Sequence, residues 1–313
     1  MRSIASEKRP KQSTSPCRRV RVARVTRTTG FALVTLTYVI ACAVALWVAE
    51  SLPYDRVWTL GLASLAMTLV CFTASFLARN SSYFDAYWMV APPVTCAWLW
   101  WHHEPGASAV RAGIVSVLVG VWAIRLTINW IRTWGGPGHE DWRYVEIQKK
   151  TGRIYWLASL VGIHLFPALL VWIGSISLIP AIATGTQPLG LMDVVAILVT
   201  GGAIAIEAIA DEQLRRFSRT KKPGAIMEEG LWAYSRHPNY FGEISFWLGL
   251  FVFAIAGGGT DAWRCVAGPI SMAALFVFGT IPMMETRSLE RRPAYADVQK
   301  RVSMLVPLPR RKG

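Results

Sequence analysis

Residues 230–247, GLWAYSRHPNYFGEISFW, bring together side chains that could do chemistry at the start of an apolar segment. Pro238 has no N–H to lose in the first turn of a helix, so a helix is predicted to begin there. Asn239, Glu243 and Trp247 then follow at intervals of four residues, which places them on one helical face. An amide and a carboxylate on one face can bind another amide, such as a carboxamide, in a defined orientation.

A second polar stripe ends the apolar run before it. Glu207, Asp211, Arg215 and Arg219 each follow the previous one by four residues, so they share one helical face. Ionisable groups in membrane helices usually face the bundle interior or a cavity. The stripe is therefore either a salt-bridge ladder at a helix end or one wall of a ligand site.

Basic residues around these stripes favour an anionic ligand. Those expected to converge at one end of the protein are Arg215, Arg219, Arg236, His237 and Arg287. A helix that starts at Pro238 adds free N–H groups and the positive end of its dipole, which attract phosphate. Phosphates at the surface with an amide-bearing ring deeper describe a nicotinamide dinucleotide. The sequence has no G-x-G-x-x-G, so a Rossmann domain is not predicted, and no metal-ligand spacing, so no metal is predicted.

Composition indicates the elements that would position these residues. The chain has 313 residues, of which 53% are hydrophobic and 17% charged, and several apolar runs reach the ~20 residues that cross a bilayer. The fold is predicted to be all-α, a polytopic membrane bundle of about eight transmembrane helices. Their predicted ranges are 30–49, 57–78, 86–101, 107–131, 154–179, 189–210, 240–257 and 263–282.

The net charge of +14 lies in the tails and in alternate loops, which is the positive-inside pattern. Nucleic acid is therefore excluded as the expected partner, and membrane lipids and a lipid-like small molecule are expected instead. With an even number of spans, both termini are predicted to be cytoplasmic. Residues 1–29 are predicted to form a basic cytoplasmic tail, with an organelle transit peptide as the alternative. The membrane would be a bacterial inner membrane or an organelle membrane.

The motif R-H-P-N-Y-F-G-E-x-x-x-W at 236–247, with E-D-W-R-Y at 140–144, resembles the steroid 5-alpha-reductase superfamily of membrane enzymes. It looks closest to a bacterial and plant branch of largely uncharacterised steroid-reductase-like proteins. The resemblance covers roughly residues 80–310, and residues 81–313 are predicted to form a steroid-reductase-like membrane domain. Residues 30–80 would form an N-terminal transmembrane hairpin. The superfamily core has seven helices, so the span at 30–49 would be an extra one.

The resemblance also implies an NADPH site, formed by the later helices, with Asn239, Glu243 and Trp247 toward the nicotinamide. With the basic residues above, the predicted cofactor-binding set is Asp211, Arg215, Arg219, Tyr234, Arg236, His237, Asn239, Tyr240, Glu243, Trp247, Arg287 and Tyr295.

In that superfamily a Glu-Tyr pair polarises the carbonyl of an enone substrate. Here the nearest carboxylate is Asp85, and Trp122 stands at the tyrosine position, so Tyr87 or Tyr144 is the expected substitute. The resemblance thus implies NADPH-dependent reduction of an activated C=C bond in a steroid or isoprenoid-like lipid that enters from the bilayer.

Two other functions fit part of the sequence. R-H-P-x-Y is shared with isoprenylcysteine carboxyl methyltransferases, so an S-adenosylmethionine-dependent methyltransferase is one alternative. A non-catalytic transporter or lipid-binding protein is the other, and it predicts that no nucleotide binds and that Asn239→Ala is tolerated.

Overall fold

The computed structural model describes residues 26–259 and 262–311. Every named element in these two ranges is helical, which confirms the predicted all-α membrane bundle. The predicted basic tail at 1–29 falls almost wholly outside the described residues. The main helices are α1 Arg27–Ser51, α2 Arg56–Ala78, α3 Tyr87–Trp101, α4 Ala109–Thr133, α5 Trp142–Thr151, α6 Tyr155–Ala158, α7 Phe166–Ser175, α8 Leu191–Thr220, α9 Pro238–Gly257, α10 Ala267–Ala274, α11 Ile281–Arg291 and α12 Tyr295–Arg301.

Seven helical stretches among the described residues are long and apolar enough to cross a membrane. They are Arg27–Ser51, Arg56–Ala78, Ala109–Thr133, Trp142–Thr184, Leu191–Thr220, Pro238–Gly257 and Ala262–Arg291. The chain is therefore an integral membrane protein in contact with lipid. The sixth predicted span ends at residue 210, but helix α8 continues to Thr220. The polar stripe that begins at Glu207 therefore lies on one continuous helix.

The predicted span at 86–101 is α3, which has 15 residues and is shorter than each of these seven stretches. The preceding residues Ser81–Ala86 wind as a tighter 3-10 helix. These two elements nevertheless join both ends of the bundle: Asn80 before them donates to the 134–141 loop, and His102 after them lies 3.4 Å from Glu50, at the end of α1.

One end of the bundle carries the basic residues and is termed the basic end. The guanidinium of Arg27 at the start of α1 donates to the carbonyl oxygen of Ile131 at the end of α4. Arg287 in α11 stacks on the ring of Trp142 at the start of α5, 3.6 Å from its centroid. The basic end therefore contains the start of α1, the ends of α4 and α8, and the start of α9.

The opposite end is closed by a buried ion pair. Arg111 near the start of α4 is fully buried and donates through Nε to Asp193 in the first turn of α8, at 2.6 Å. The remaining guanidinium nitrogens bond the backbone carbonyls of Gln187 and Pro188. Each guanidinium nitrogen of Arg111 thus has a bonded partner, and such a buried pair favours one arrangement of helices, here that of α4 against α8.

Helices α8 and α9 pack antiparallel and in close contact because glycines of α9 face α8. A methyl group at Gly242 would overlap Glu207, and one at Gly249 would overlap Thr200. Small residues let membrane helices approach closely. The two pairs also fix the register, in which Asn239 comes level with Ala210 and Asp211. The two polar stripes of the sequence are thereby brought face to face.

Candidate functional site

Four charged side chains from three helices meet beneath the basic end and form what is termed the deep cluster: Arg125, Glu207, Asp211 and Glu243. Arg125 of α4 lies between the carboxylates, with its nitrogens 2.6 Å from Asp211, 3.1 Å from Glu207 and 3.7 Å from Glu243. All three carboxylates stand on the stripes of α8 and α9. One guanidinium faces three carboxylates, so the cluster is strongly acidic within a largely apolar bundle.

The carboxylate of Glu243 is held by two indole N–H donors. Trp122 of α4 donates to one oxygen at 3.1 Å and Trp247 of α9 donates to the other at 3.0 Å. Both indoles are fully buried, and Trp122 stacks on Phe246 at 4.4 Å with an interplanar angle of 7°. The position at which the family resemblance expected a tyrosine therefore orients Glu243 instead.

Asn239 lies one helical turn nearer the basic end than Glu243. Its side-chain oxygen is buried and has no hydrogen-bond partner among the described residues, whereas Glu207 Oε2 has only its ion-pair contact with Arg125. Buried polar atoms without a partner are uncommon and call for an explanation. An amide donor entering beside Asn239 would satisfy the first of these atoms.

A cleft of about 580 Å³, termed the polar cleft, opens between α3, α4 and α8 at the basic end. Its lining includes Asp85, Trp88, Met89, Leu126, Asn129, Trp130, Arg132, Thr133, Asp211, Leu214, Arg215, Ser218 and Arg219. Asn129 donates to Asp211 at 2.5 Å, and Asp211 also bonds Arg125. The polar cleft is thus connected directly to the deep cluster.

Asp85 and Tyr144 form a hydrogen-bonded pair at the polar cleft. The hydroxyl of Tyr144, in α5, donates to Asp85 Oδ1 at 2.7 Å, although the residues are 59 apart in the sequence. Burial raises the pKa of Asp85 to about 7, against the opposing effect of the Tyr144 hydrogen bond and the nearby Arg143. A carboxyl group that titrates near neutral pH is suited to proton transfer.

Tyr87, the other expected tyrosine, lies on the far side of α3. Its ring is fully buried, and its hydroxyl pairs with Ser64 of α2 at 2.7 Å. It lines a separate small cavity of about 40 Å³ together with Ser64. The structure therefore brings Asp85 together with Tyr144 and separates both from Tyr87.

Arg236 and His237, expected beside phosphates, contact the C-terminal segment instead. The carboxylate of Glu285 in α11 accepts from Arg236 at 2.7 Å, from His237 at 3.1 Å and from Gln299 at 2.7 Å. Arg236 also donates to the backbone carbonyls of Gln299 and Val302. These four side chains, Arg236, His237, Glu285 and Gln299, are termed the C-terminal clamp.

The remaining predicted cofactor residues are distributed between cleft and surface. Arg215 lines the polar cleft while bonding Glu212, and Arg219 is exposed at the mouth of the cleft. Tyr240 stacks on His237 at 5.2 Å, between the clamp and the cleft. Tyr234 is 51% exposed.

Arg287 lies over Trp142, as described above, and Tyr295 is buried in a small C-terminal core with Val298 and Val302. Burial raises the pKa of Tyr295 to about 12, so its hydroxyl stays protonated at physiological pH.

Glu285, the carboxylate that the other clamp side chains contact, was not among the predicted site residues. One signal was present: a carboxylate in the last apolar stretch, within a region otherwise rich in Lys and Arg. Arg125 and Asn129 were likewise given no role, although both stand near the end of a predicted span, where ionisable side chains require partners.

Comparison with known proteins places the chain in a family. Residues 71–302 match the family described as "Protein of unknown function (DUF1295)", which is more than half of the chain, so the chain belongs to that family. It is also similar to the uncharacterized protein C594.04c of Schizosaccharomyces pombe, with 26% identity over 270 residues, 79% of this chain and 78% of the relative. No solved structure matches the chain.

Proposed function

We propose that this member of the DUF1295 family is a membrane-embedded reductase, which uses NADPH to saturate an activated C=C bond in a lipid-like substrate. The observation that carries the proposal is the polar cleft, where Asp85, which is hydrogen-bonded to Tyr144, lines one space with Asn129 and with Asp211 of the deep cluster. The resemblance of its two motifs to the steroid 5-alpha-reductase superfamily supports the same reaction.

The residues present fit a nicotinamide dinucleotide. Arg132, Arg215 and Arg219 line the cleft at the basic end and would hold phosphates. The unpartnered oxygen of Asn239 and the oriented carboxylate of Glu243 would accept hydrogen bonds from a carboxamide. In this proposal the phosphate contacts come from the cleft arginines, because the donors of Arg236 are already used in the C-terminal clamp.

When bound, NADPH would supply a hydride for the β-carbon of a conjugated carbonyl compound. The protein's residues act at the other end of the conjugated system. Protonated Asp85, or the Tyr144 hydroxyl it contacts, would donate a hydrogen bond to the substrate carbonyl oxygen and stabilise the developing enolate. A proton taken up from solvent then adds at the α-carbon, so the hydride and this proton are the two hydrogens that the C=C bond gains. Leu126 and Leu214 provide apolar walls beside these polar groups.

The two alternatives stay distinguishable from this proposal. A methyltransferase of the isoprenylcysteine type would bind S-adenosylmethionine at the same cleft and bind NADPH weakly. A transporter or lipid-binding protein would bind neither, and Asn239→Ala would then have no effect on ligand binding.

The test is a titration of the purified protein in detergent with NADPH, NADH and S-adenosylmethionine, followed by nucleotide fluorescence or calorimetry. We expect saturable NADPH binding, weaker NADH binding, and loss of NADPH binding in Asn239→Ala and Glu243→Ala. Gln187→Ala truncates an exposed amide at the opposite end and is the matched control, with unchanged affinity. Tight binding of S-adenosylmethionine without NADPH binding would refute the reductase.

The orientation in the membrane follows from where this cofactor is found. NADPH is a cytosolic molecule in this proposal, so the basic end, the polar cleft and both termini face the cytoplasm, as the charge distribution also favours. Reporter fusions to the C-terminus test this, and an external reporter would reverse the assignment.

A further inference from the structure

A second, apolar depression of about 560 Å³, termed the side groove, runs along α1 where it meets α3 and α4. Its lining residues are Val34, Thr35, Tyr38, Val39, Cys42, Ala43, Leu46, Ala86, Met89, Val90, Thr127 and Trp130. The lining residues that belong to α1 all lie on one face of that helix. From Val34 to Leu46 they extend ~18 Å, at a rise of 1.5 Å per residue. Val39 is 61% exposed and Leu46 is 39% exposed, so the groove opens toward lipid.

Two polar side chains that line the side groove are bonded within the protein, whereas the buried indole N–H of Trp130 at its boundary with the polar cleft has no hydrogen-bond partner among the described residues. The Tyr38 hydroxyl donates to the carbonyl oxygens of Tyr83 and Phe84, at 3.1 and 3.0 Å. Thr127 donates to the carbonyl of Ala123 at 2.8 Å. Away from this boundary, an occupant of the groove would therefore gain from apolar contact rather than from hydrogen bonds.

The side groove and the polar cleft are neighbours that share two residues. Met89 of α3 and Trp130 of α4 line both of them. Asp85, one helical turn before Met89, lies on the cleft side. Methionine is flexible and adapts to its neighbours, so Met89 can yield to a chain that lies across this boundary. An apolar groove thus leads from the bilayer to the hydrogen-bonded carboxyl group.

We infer that the side groove holds the hydrocarbon chain of a single-chain lipid substrate, an isoprenoid or fatty acyl conjugated carbonyl compound, with its carbonyl head beside Asp85. This inference rests on the proposed reductase function and specifies its substrate class. The α1 lining of the groove runs ~18 Å along one helical face, a length that a flexible linear chain can follow. The occupant meets polar groups only at the end where the Asp85–Tyr144 pair lies.

The wall that defines this chain site is α1, which lies outside the residues that match the family model, 71–302. The polar cleft, in contrast, is built from residues within that range. Substrate selection by the side groove would therefore be set by an element added to the family core, while the reaction chemistry stays within the core.

The experiment uses the full-length protein in lipid nanodiscs and a long-chain 2-enal with a diazirine at its methyl end. After irradiation in the presence of NADP⁺, the labelled peptide is identified by mass spectrometry. We expect the label on α1 between Val39 and Leu46. Cys42→Trp should reduce this label about tenfold, because an indole fills the groove. Leu65→Trp places the same side chain in the separate groove between α2 and α7 and should leave the label unchanged.

Three results would overturn the inference: labelling of the α2/α7 groove, equal labelling of wild type and Cys42→Trp, or displacement of the probe by a steroid enone more readily than by the unlabelled 2-enal. If Cys42→Trp fails to fold, Val39→Trp at the lipid-facing margin replaces it. NADPH affinity, measured on the same samples, separates the two proposals. Label on α1 without NADPH binding would refute the reductase and retain the lipid site.

Discussion

The motif R-H-P-N-Y-F-G-E divides into two halves that lie in different surroundings. In its first half, Arg236 and His237 contact Glu285, and the donors of Arg236 are used by the C-terminal clamp. In its second half, Asn239 has a buried oxygen without a partner, and Glu243 belongs to the acidic deep cluster. Both halves place charged groups at the basic end, but only the second faces the region where a ligand would be held.

The comparison indicates that charged side chains in the interior serve two different purposes in this protein. In the C-terminal clamp one carboxylate accepts from three side chains, so the charge is balanced and the contacts fix the C-terminal segment to the start of α9. In the deep cluster one guanidinium serves three carboxylates, so formal negative charge remains in excess. Completed networks stabilise a structure, whereas incomplete ones are typical of sites that bind something.

The largest effect is expected from breaking the clamp. Arg236→Ala leaves Glu285 buried without its main partner, and loss of one partner of a buried pair costs about 3–5 kcal/mol of unfolding free energy. Thermal unfolding in detergent measures it. Arg216→Ala, an exposed arginine paired with Glu212, is the matched control and should change nothing measurable. If Arg236→Ala instead keeps its stability and loses NADPH binding, the first half of the motif binds ligand as well.

The next effect concerns the Asp85–Tyr144 pair. Asp85→Asn keeps the shape of the side chain and removes the acid, so turnover of NADPH with a lipid enone should fall about 10²-fold, the size expected for general acid catalysis. NADPH affinity should stay unchanged. Tyr87→Phe, which alters a tyrosine outside the polar cleft, is the control and should retain turnover. Unchanged turnover in Asp85→Asn would remove Asp85 from the proposed mechanism.

The raised pKa of Asp85 predicts a pH dependence with a definite sign. Because the folded protein keeps this proton up to about pH 7 while the unfolded chain loses it near pH 4, stability falls as pH rises between these values. Turnover that requires the protonated acid should also fall above about pH 7. Asp85→Asn should flatten the difference in melting temperature between pH 5 and pH 8. If the melting temperature changes by the same amount between pH 5 and pH 8 in the wild type and in Asp85→Asn, the raised pKa of Asp85 is contradicted.

A smaller effect is expected from the indoles that orient Glu243. Trp122→Phe keeps most of the ring stacked on Phe246 and removes one hydrogen bond to Glu243, so NADPH affinity should fall by about 1 kcal/mol, or roughly fivefold. A fluorescence titration measures it. Trp58→Phe, on the lipid-exposed face of α2, is the control. An unchanged NADPH affinity in Trp122→Phe would indicate that the nicotinamide does not bind beside Glu243.

The smallest effect is expected at Arg287, which the sequence assigned to the cofactor. Its guanidinium lies over Trp142, and Arg287→Gln should cost about 0.5–1 kcal/mol of stability through the lost cation–π contact. NADPH affinity should remain that of the wild type. A selective loss of affinity for NADPH over NADH would restore Arg287 to the phosphate site.

The local features of this protein could be predicted from its amino-acid sequence. Apolar runs of membrane length predicted the helices, and four-residue spacing placed Glu207 with Asp211, and Asn239 with Glu243 and Trp247, on single faces. These features depend on residues close together in the chain, because helical geometry repeats every 3.6 residues.

Which side chains far apart in the sequence form hydrogen bonds or ion pairs could be seen only in the tertiary structure. It joined Asp85 to Tyr144 rather than to Tyr87, and Arg236 to Glu285 rather than to the polar cleft. The short helix α3 reaches both ends of the bundle only with the 3-10 turn before it. The physical reason is that a side chain's partner depends on how helices pack and in which register, and close contacts such as Gly242 against Glu207 fix that register.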